Sequence, residues 1–330
     1  MSFVLLLASF AVLLVGAYFF TNAVEWTGHR LGLGQGAVGS LLAAVGTALP
    51  ESIIPLIALI AGGQADDVAV GAIVGAPFML ATIAMALVGV SAFAFRSSRA
   101  TGQTLDADLR TLRRDLCFFL ALFASALLLG LGAPTGLRVA VAVAFVLAYA
   151  AYVRLTLAGG GAVQESSSLK PLYLDLARSG RPANRTIALQ LVVALGAIVG
   201  GSHLFVDELL HVAARVGVSA LVLALVLAPL ATELPEKANS FLWIREGKDT
   251  LALGNITGAM VFQSTLPLSL GLAFTGWELS GPSLLAAALA VAGGALALAT
   301  LSFRRRYGLA SIVVWIALYA VFALYVALAG

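Results

Sequence analysis

Apolar runs of about 20 residues recur along the whole chain, and runs of that kind leave few choices of fold. They fall at 3–21, 37–62, 68–93, 116–132, 136–157, 187–212, 218–243, 250–276, 281–302 and 308–329. Inside a hydrocarbon layer no water satisfies the backbone, so each run predicts a membrane-spanning helix. Ten of them predict an all-α membrane protein with ten transmembrane helices. Composition agrees, since only 11% of the 330 residues are charged against roughly 25% in soluble domains. The net charge of +3 comes from loop arginines and lysines and gives no reason to expect nucleic acid. The single cysteine, Cys117, excludes an internal disulfide or a CxxC site. The first run, without a basic leader or a cleavage site, reads as an uncleaved span.

The basic residues orient the spans. Loops after spans 1, 3, 5, 7 and 9 carry fifteen of the 19 Lys and Arg residues, whereas the opposite loops carry Arg138 and Arg215. Cytoplasmic loops collect positive charge, which predicts both termini outside. The arginines from Arg96 to Arg114, interleaved with Asp106, Asp108 and Asp115, predict a cytoplasmic helix at the lipid surface. A Gly- and Ser-rich stretch at 159–184 divides the spans five and five. The chain is therefore read as a first five-helix unit at 1–158, a cytoplasmic linker at 159–184 and a second unit at 185–330.

Two short stretches interrupt the apolar pattern: Gly46-Thr47-Ala48-Leu49-Pro50-Glu51 and Ala231-Thr232-Glu233-Leu234-Pro235-Glu236. A carboxylate within a span is costly and so marks function, and the proline beside it predicts a helix break. Setting Glu51 on Glu236 also sets Phe20 on Phe205, Arg30 on Arg215, Thr47 on Thr232 and Pro50 on Pro235. Further on, Gly71-Ala72-Ile73-Val74-Gly75-Ala76 parallels Gly254-Asn255-Ile256-Thr257-Gly258-Ala259, with glycines that allow close helix approach. The chain thus repeats itself, and an odd number of spans in each half turns the second upside down. Two inverted five-helix repeats can expose one shared site to either side in turn.

At that site Glu51 and Glu236 would face each other, and two carboxylates need a cation or a proton between them. Thr47 and Thr232 stand four residues before them on the same helix face, and Pro50 and Pro235 free carbonyls one turn earlier. Carboxylate, hydroxyl and carbonyl oxygens suit calcium, whereas zinc or copper would want His or Cys. His29, His203 and His211 lie near span ends and read as interfacial.

These two motifs, each followed by a Gly-rich helix, resemble the α-repeats of the cation/calcium exchanger superfamily, the sodium/calcium exchangers in particular. The resemblance implies that Glu51 and Glu236 are the central calcium-binding carboxylates, with Thr47 and Thr232 lining the ion sites. It also implies alternating access with sodium or protons as counter-ion, in part by sliding of the first and sixth helices.

Departures from the family pattern bear on the counter-ion. Gly75-Ala76-Pro77 and Gly258-Ala259-Met260 stand where the family usually has Gly-Ser-Asn, and Leu80 and Gln263 stand where it keeps Asn or Asp. Gln263 still offers an amide oxygen. Glu233 adds a carboxylate beside Thr232, and Lys237, four residues on, can pair with it. An acid beside another carboxylate holds its proton more tightly, so protons could replace sodium.

The function expected is secondary active antiport of calcium, or a similar divalent cation, against sodium or protons. The ions are cargo: neither a bound cofactor nor an enzymatic reaction is expected. Two other readings stay open. One is a proton-coupled exchanger of another cation with Glu233 as an extra proton acceptor; the other is a non-transporting membrane sensor or scaffold.

Overall fold

The computed structural model describes residues 2–30, 49–158, 170–175, 182–279, 281–304 and 306–329. Among them every regular element is a helix, the outcome that apolar runs without backbone partners require in lipid. In chain order these are α1 (Ser2–Arg30), α2 (Leu49–Ala61), α3 (Ala65–Ala94), α4 (Leu109–Leu129), α5 (Thr135–Ala158), α6 (Asn184–Val216) and α7 (Ala220–Arg245). They continue with α8 in two pieces, α8a (Asp249–Gln263) and α8b (Leu266–Phe274), then α9 (Gly281–Arg304) and α10 (Leu309–Ala329). Among the described residues, seven helices are long and apolar enough to cross a membrane. Two more apolar stretches, Pro50–Ala61 and Ala220–Glu233, are shorter.

Burial sorts the helices into inner and outer. In α3 and α8, 83% and 72% of the apolar window is enclosed, against 22% in α1 and α5 and 17% in α10. The outer helices show lipid-sized apolar side chains such as Leu147, Val192 and Leu324 to their surroundings. One apolar core joins α3, α4, α8 and α9, and a second joins α1, α2, α6, α7 and the start of α3. The packing runs α1 on α6, α3 on α7, α4 on α9, α5 on α8b and α10 on the second half of α3. Where α3 meets α7 the backbones touch: a Cβ added at Gly71 would lie 2.5 Å from the Leu221 carbonyl oxygen. One added at Gly75 would collide with the carbonyl of Leu225. Leu225 is four residues before Pro229, which has no N–H to offer it, so that carbonyl is left to face α3.

Both inner helices depart from regular winding, at matching places. In α3 the residues Leu80–Ala84 form a π-helical turn one turn after Pro77, which lies inside the helix. In α8 the winding stops between Gln263 and Leu266. There the Thr265 hydroxyl donates to the carbonyls of Val261 (3.0 Å) and Phe262 (2.7 Å), and Ser264 Oγ donates to Val261 (3.0 Å). These two hydroxyls are spent on satisfying the break.

Three sequence expectations need correction. The helix expected between Arg96 and Arg114 is a run of turns followed by α4, which starts at Leu109 with Asp108 as its cap. Asp66 and Asp67, which the apolar runs at 37–62 and 68–93 leave to a connecting loop, instead occupy the first turn of α3, where negative charge complements the N-terminal end of the helix dipole. Nor does α7 break at Pro235: its backbone runs as one helix from Ala220 to Arg245.

Two polar anchorages tie distant parts of the chain. Arg99 forms a bidentate pair with Asp249, both N···O distances being 2.7 Å, and also donates to the carbonyls of Ile244, Thr104 and Gly102. This clamps the α3–α4 turns to the start of α8. The strap Lys170–Asp175 docks on α1 and α6 through Asn22 and Gln190. Gln190 Oε1 accepts from Leu174 N (2.9 Å), and Asn22 Oδ1 accepts from Tyr173 N (3.1 Å) and Gln190 Nε2 (3.0 Å). Trp26 Nε1 donates to the Lys170 carbonyl (3.0 Å), and Leu172 is buried beside Trp26 and Ile187.

Candidate ion site

The site is built where α2 and α7 approach the first half of α3. A cavity of about 10 Å³ lies among Glu51, Ile54, Ala72, Ala76, Ala228, Pro229 and Thr232, near the lower limit for a single water or bare ion. Glu51 reaches it from the first turn of α2 and is 6% exposed. Pro55 lies four residues on in the same helix, so the carbonyl of Glu51 itself lacks its helical donor. From α7, Thr232 donates its hydroxyl hydrogen to the Ala228 carbonyl at 3.2 Å, leaving oxygen lone pairs for other contacts. Ala72 and Ala76 form the remaining wall, and their small side chains leave the space.

Beside this cavity α7 and α8 share a polar cluster. Glu233 is 1% exposed, and its Oε1 accepts from Gln263 Nε2 at 2.7 Å. Its Oε2 lies 3.0 Å from Nζ of Lys237, itself 3% exposed. Nζ also meets Asn255 Oδ1 at 3.4 Å. Every charged member is thus held by an oppositely charged or polar neighbour, as burial requires.

Of the residues expected to hold the ion, Glu51 and Thr232 line one cavity, and Glu233 and Gln263 are joined by a hydrogen bond. Thr47 lies outside the described residues, and Glu236 is on α7 with its side chain outside them. Among the described residues no three His, Cys, Asp or Glu side chains converge as a metal cage. Three contributors escaped the sequence reading. Pro55 and Pro229 each free a carbonyl one turn earlier, a signal present in the i to i−4 spacing. Asn255 was read only as part of a repeated glycine motif. Its signal was being the polar exception where the other half has Ala72.

A buried acid in the first turn of a proline-bearing helix, lining one cavity with a threonine from a second helix, is the kind of site that ion-carrying membrane proteins build. The chain belongs to the sodium/calcium exchanger protein family, whose profile matches residues 1–158 and 186–328. Among individual relatives, CaxA of Alkalimonas amylolytica, a protein named as an antiporter, is 37% identical over 81 residues. That match spans 24% of this chain and 25% of CaxA. The fold is shared with the H+/Ca2+ exchanger CAX at a TM-score of 0.75 and 20% identity, over 99% of this chain and 86% of that one. It is shared with the sodium-calcium exchanger NCX_Mj at 0.61 and 18%, over 98% and 97%, and with YfkE at 0.64 and 15%, over 99% and 98%.

Proposed function

We propose that this chain is a ten-span antiporter of a prokaryotic inner membrane that exchanges calcium for protons by alternating access. Its two inverted units are residues 1–158 and 185–330, joined by a cytoplasmic linker, with both termini outside. Support for the inversion comes from the packing. The contact of α5 with α8 mirrors that of α10 with α3, the contact of α4 with α8 mirrors that of α9 with α3, and α1 pairs with α6. The irregular turns also match, since Leu80 and Gln263 each follow an aligned glycine, Gly75 and Gly258, by five residues.

The observation that carries the function is the cavity shared by Glu51 and Thr232, with Ala72 and Ala76 as its walls. The polar groups in its lining, a carboxylate and a hydroxyl, are hard oxygen donors of the kind calcium takes. Glu236 and Thr47 complete the proposed ligand set, while Glu233 and Gln263, expected from the sequence to join it, are engaged with Lys237 and with each other in the neighbouring cluster. Protons are favoured over sodium because Ala76, Ala259 and Leu80 bring no oxygen to positions where a second cation would need one. The test is calcium uptake into proteoliposomes with pH and sodium gradients imposed separately. Uptake should follow the pH gradient; uptake that follows only the sodium gradient overturns the proton assignment. Glu51→Gln and Glu236→Gln should each lower the flux by about tenfold or more, the effect of losing at least one charged ligand contact worth about 1.4 kcal/mol. Intact flux in both variants would refute the site.

A further inference from the structure

The Glu233 cluster has no counterpart in the first half of the chain. Ala48, Ala72 and Leu80 stand at the repeat equivalents of Glu233, Asn255 and Gln263, and Ser52 at that of Lys237. Four interacting polar groups are therefore present on one side of the pseudo-twofold axis and replaced by small or apolar ones on the other. Two helices converge on one point. Glu233 Oε2 at 3.0 Å comes from α7 and Asn255 Oδ1 at 3.4 Å from α8, while Gln263 holds the second oxygen of Glu233 at 2.7 Å. A carboxylate oxygen and an amide oxygen turned to a common point are ligands for a small hard cation. The occupant of that point is the Lys237 ammonium, carried there on a side chain 3% exposed.

We propose that Lys237 is a tethered cation, filling a position beside the calcium cavity that would otherwise take a monovalent ion. This rests on the antiport reading of the same site and adds to it a reason why sodium is not the counter-ion. The charged group that meets the ammonium is Glu233 on its own helix; Glu236 precedes Lys237 in sequence, and Glu51 reaches the cavity shared with Thr232 from α2. With Lys237 present, the charge of Glu233 is balanced within the protein. Without it, one buried negative charge needs a mobile cation.

The experiment compares wild type, K237Q and the double variant E233Q/K237Q, purified in detergent, in sodium chloride and in choline chloride at equal ionic strength. A cation that binds only the folded protein raises its melting temperature. K237Q should gain a sodium-dependent rise of several degrees that wild type lacks, and the double variant, with no carboxylate to fill, should not. In proteoliposomes the calcium flux of K237Q should become sodium-dependent. Should K237Q be recoverable only in sodium chloride, that selective rescue is the same result. Three outcomes overturn the proposal: no sodium effect in K237Q, an equal effect in wild type, or recovery of the double variant but of K237Q in neither salt. The melting readout needs no transport, so absence of flux in wild type would sink the antiport reading separately.

Discussion

Arg99 is one of the fifteen basic residues from which an orientation is read in the sequence, but its side chain is fully enclosed and paired with Asp249. Breaking a buried pair leaves a charge without its partner, at a cost of about 3–5 kcal/mol. Asp249→Asn is therefore expected to lower the melting temperature of the detergent-solubilised protein sharply. A joint replacement, R99M/D249L, should recover most of the loss; equal losses in the two variants would show that the pair itself is not what stabilises the junction. The sequence displayed the charge of Arg99 and concealed its use, because the partner lies 150 residues away and pairing across that distance depends on how the helices stack.

Asp108 behaves differently. It caps α4, accepting from the amides of Arg110 and Thr111 and from the Thr111 hydroxyl at 2.6 Å. The hydroxyl bond is the main cause that brings its pKa below the ordinary 3.8. A lowered carboxylate pKa stabilises the fold fully above the unfolded value, and the contribution is lost as pH falls through the folded one. Asp108→Asn keeps a capping oxygen without the charge. Its difference in melting temperature from wild type should thus shrink as the solution is acidified below pH 3.8; a difference constant with pH would refute the assignment.

At the scale of elements, the helices were legible because apolar runs of membrane length have no other stable form. The limits of that reading show in the interruptions. Pro235 looked like the end of a helix, but α7 continues through it; a helix enclosed by neighbours can tolerate the missing hydrogen bond because the freed carbonyl finds other surroundings. The π turn at Leu80–Ala84 and the gap after Gln263 carry no pattern in hydropathy, so periodicity passes over them. The strap at Lys170–Asp175 was legible only as a polar connection. Gln190→Ala would remove its bonds to Leu174, Asn22 and the Phe19 carbonyl, leaving buried groups unsatisfied at about 1–3 kcal/mol each. The expected outcome is faster hydrogen exchange at the Tyr173 and Leu174 amides than in wild type, with α7 and α8 unaffected. Unchanged exchange there would mean that Leu172 alone holds the strap.

For the whole molecule, the repeat was the most informative feature of the sequence. Aligned glycines, threonines, prolines and glutamates pointed to a two-part carrier before any helix was placed, and membership of an exchanger family agrees with the carrier half of that reading. What alignment could not convey is how unlike the halves are. One brings Ala72 and Ala76 to the cavity wall; the other brings Asn255 and a lysine to a polar cluster. Quasi-symmetry describes a backbone plan, while the chemistry of the passage resides in the positions that break it.

Where Gly75 meets Leu225, hydrogen is the largest substituent α3 can carry against α7. Two main chains in contact leave little room for water between them, so an absent methyl keeps that seam closed. Gly75→Ala would wedge the seam apart. Its signature should be slippage: preloaded calcium running out of vesicles with no opposing gradient to drive it. In the cell the same change would act as a short circuit, spending an ion gradient on nothing.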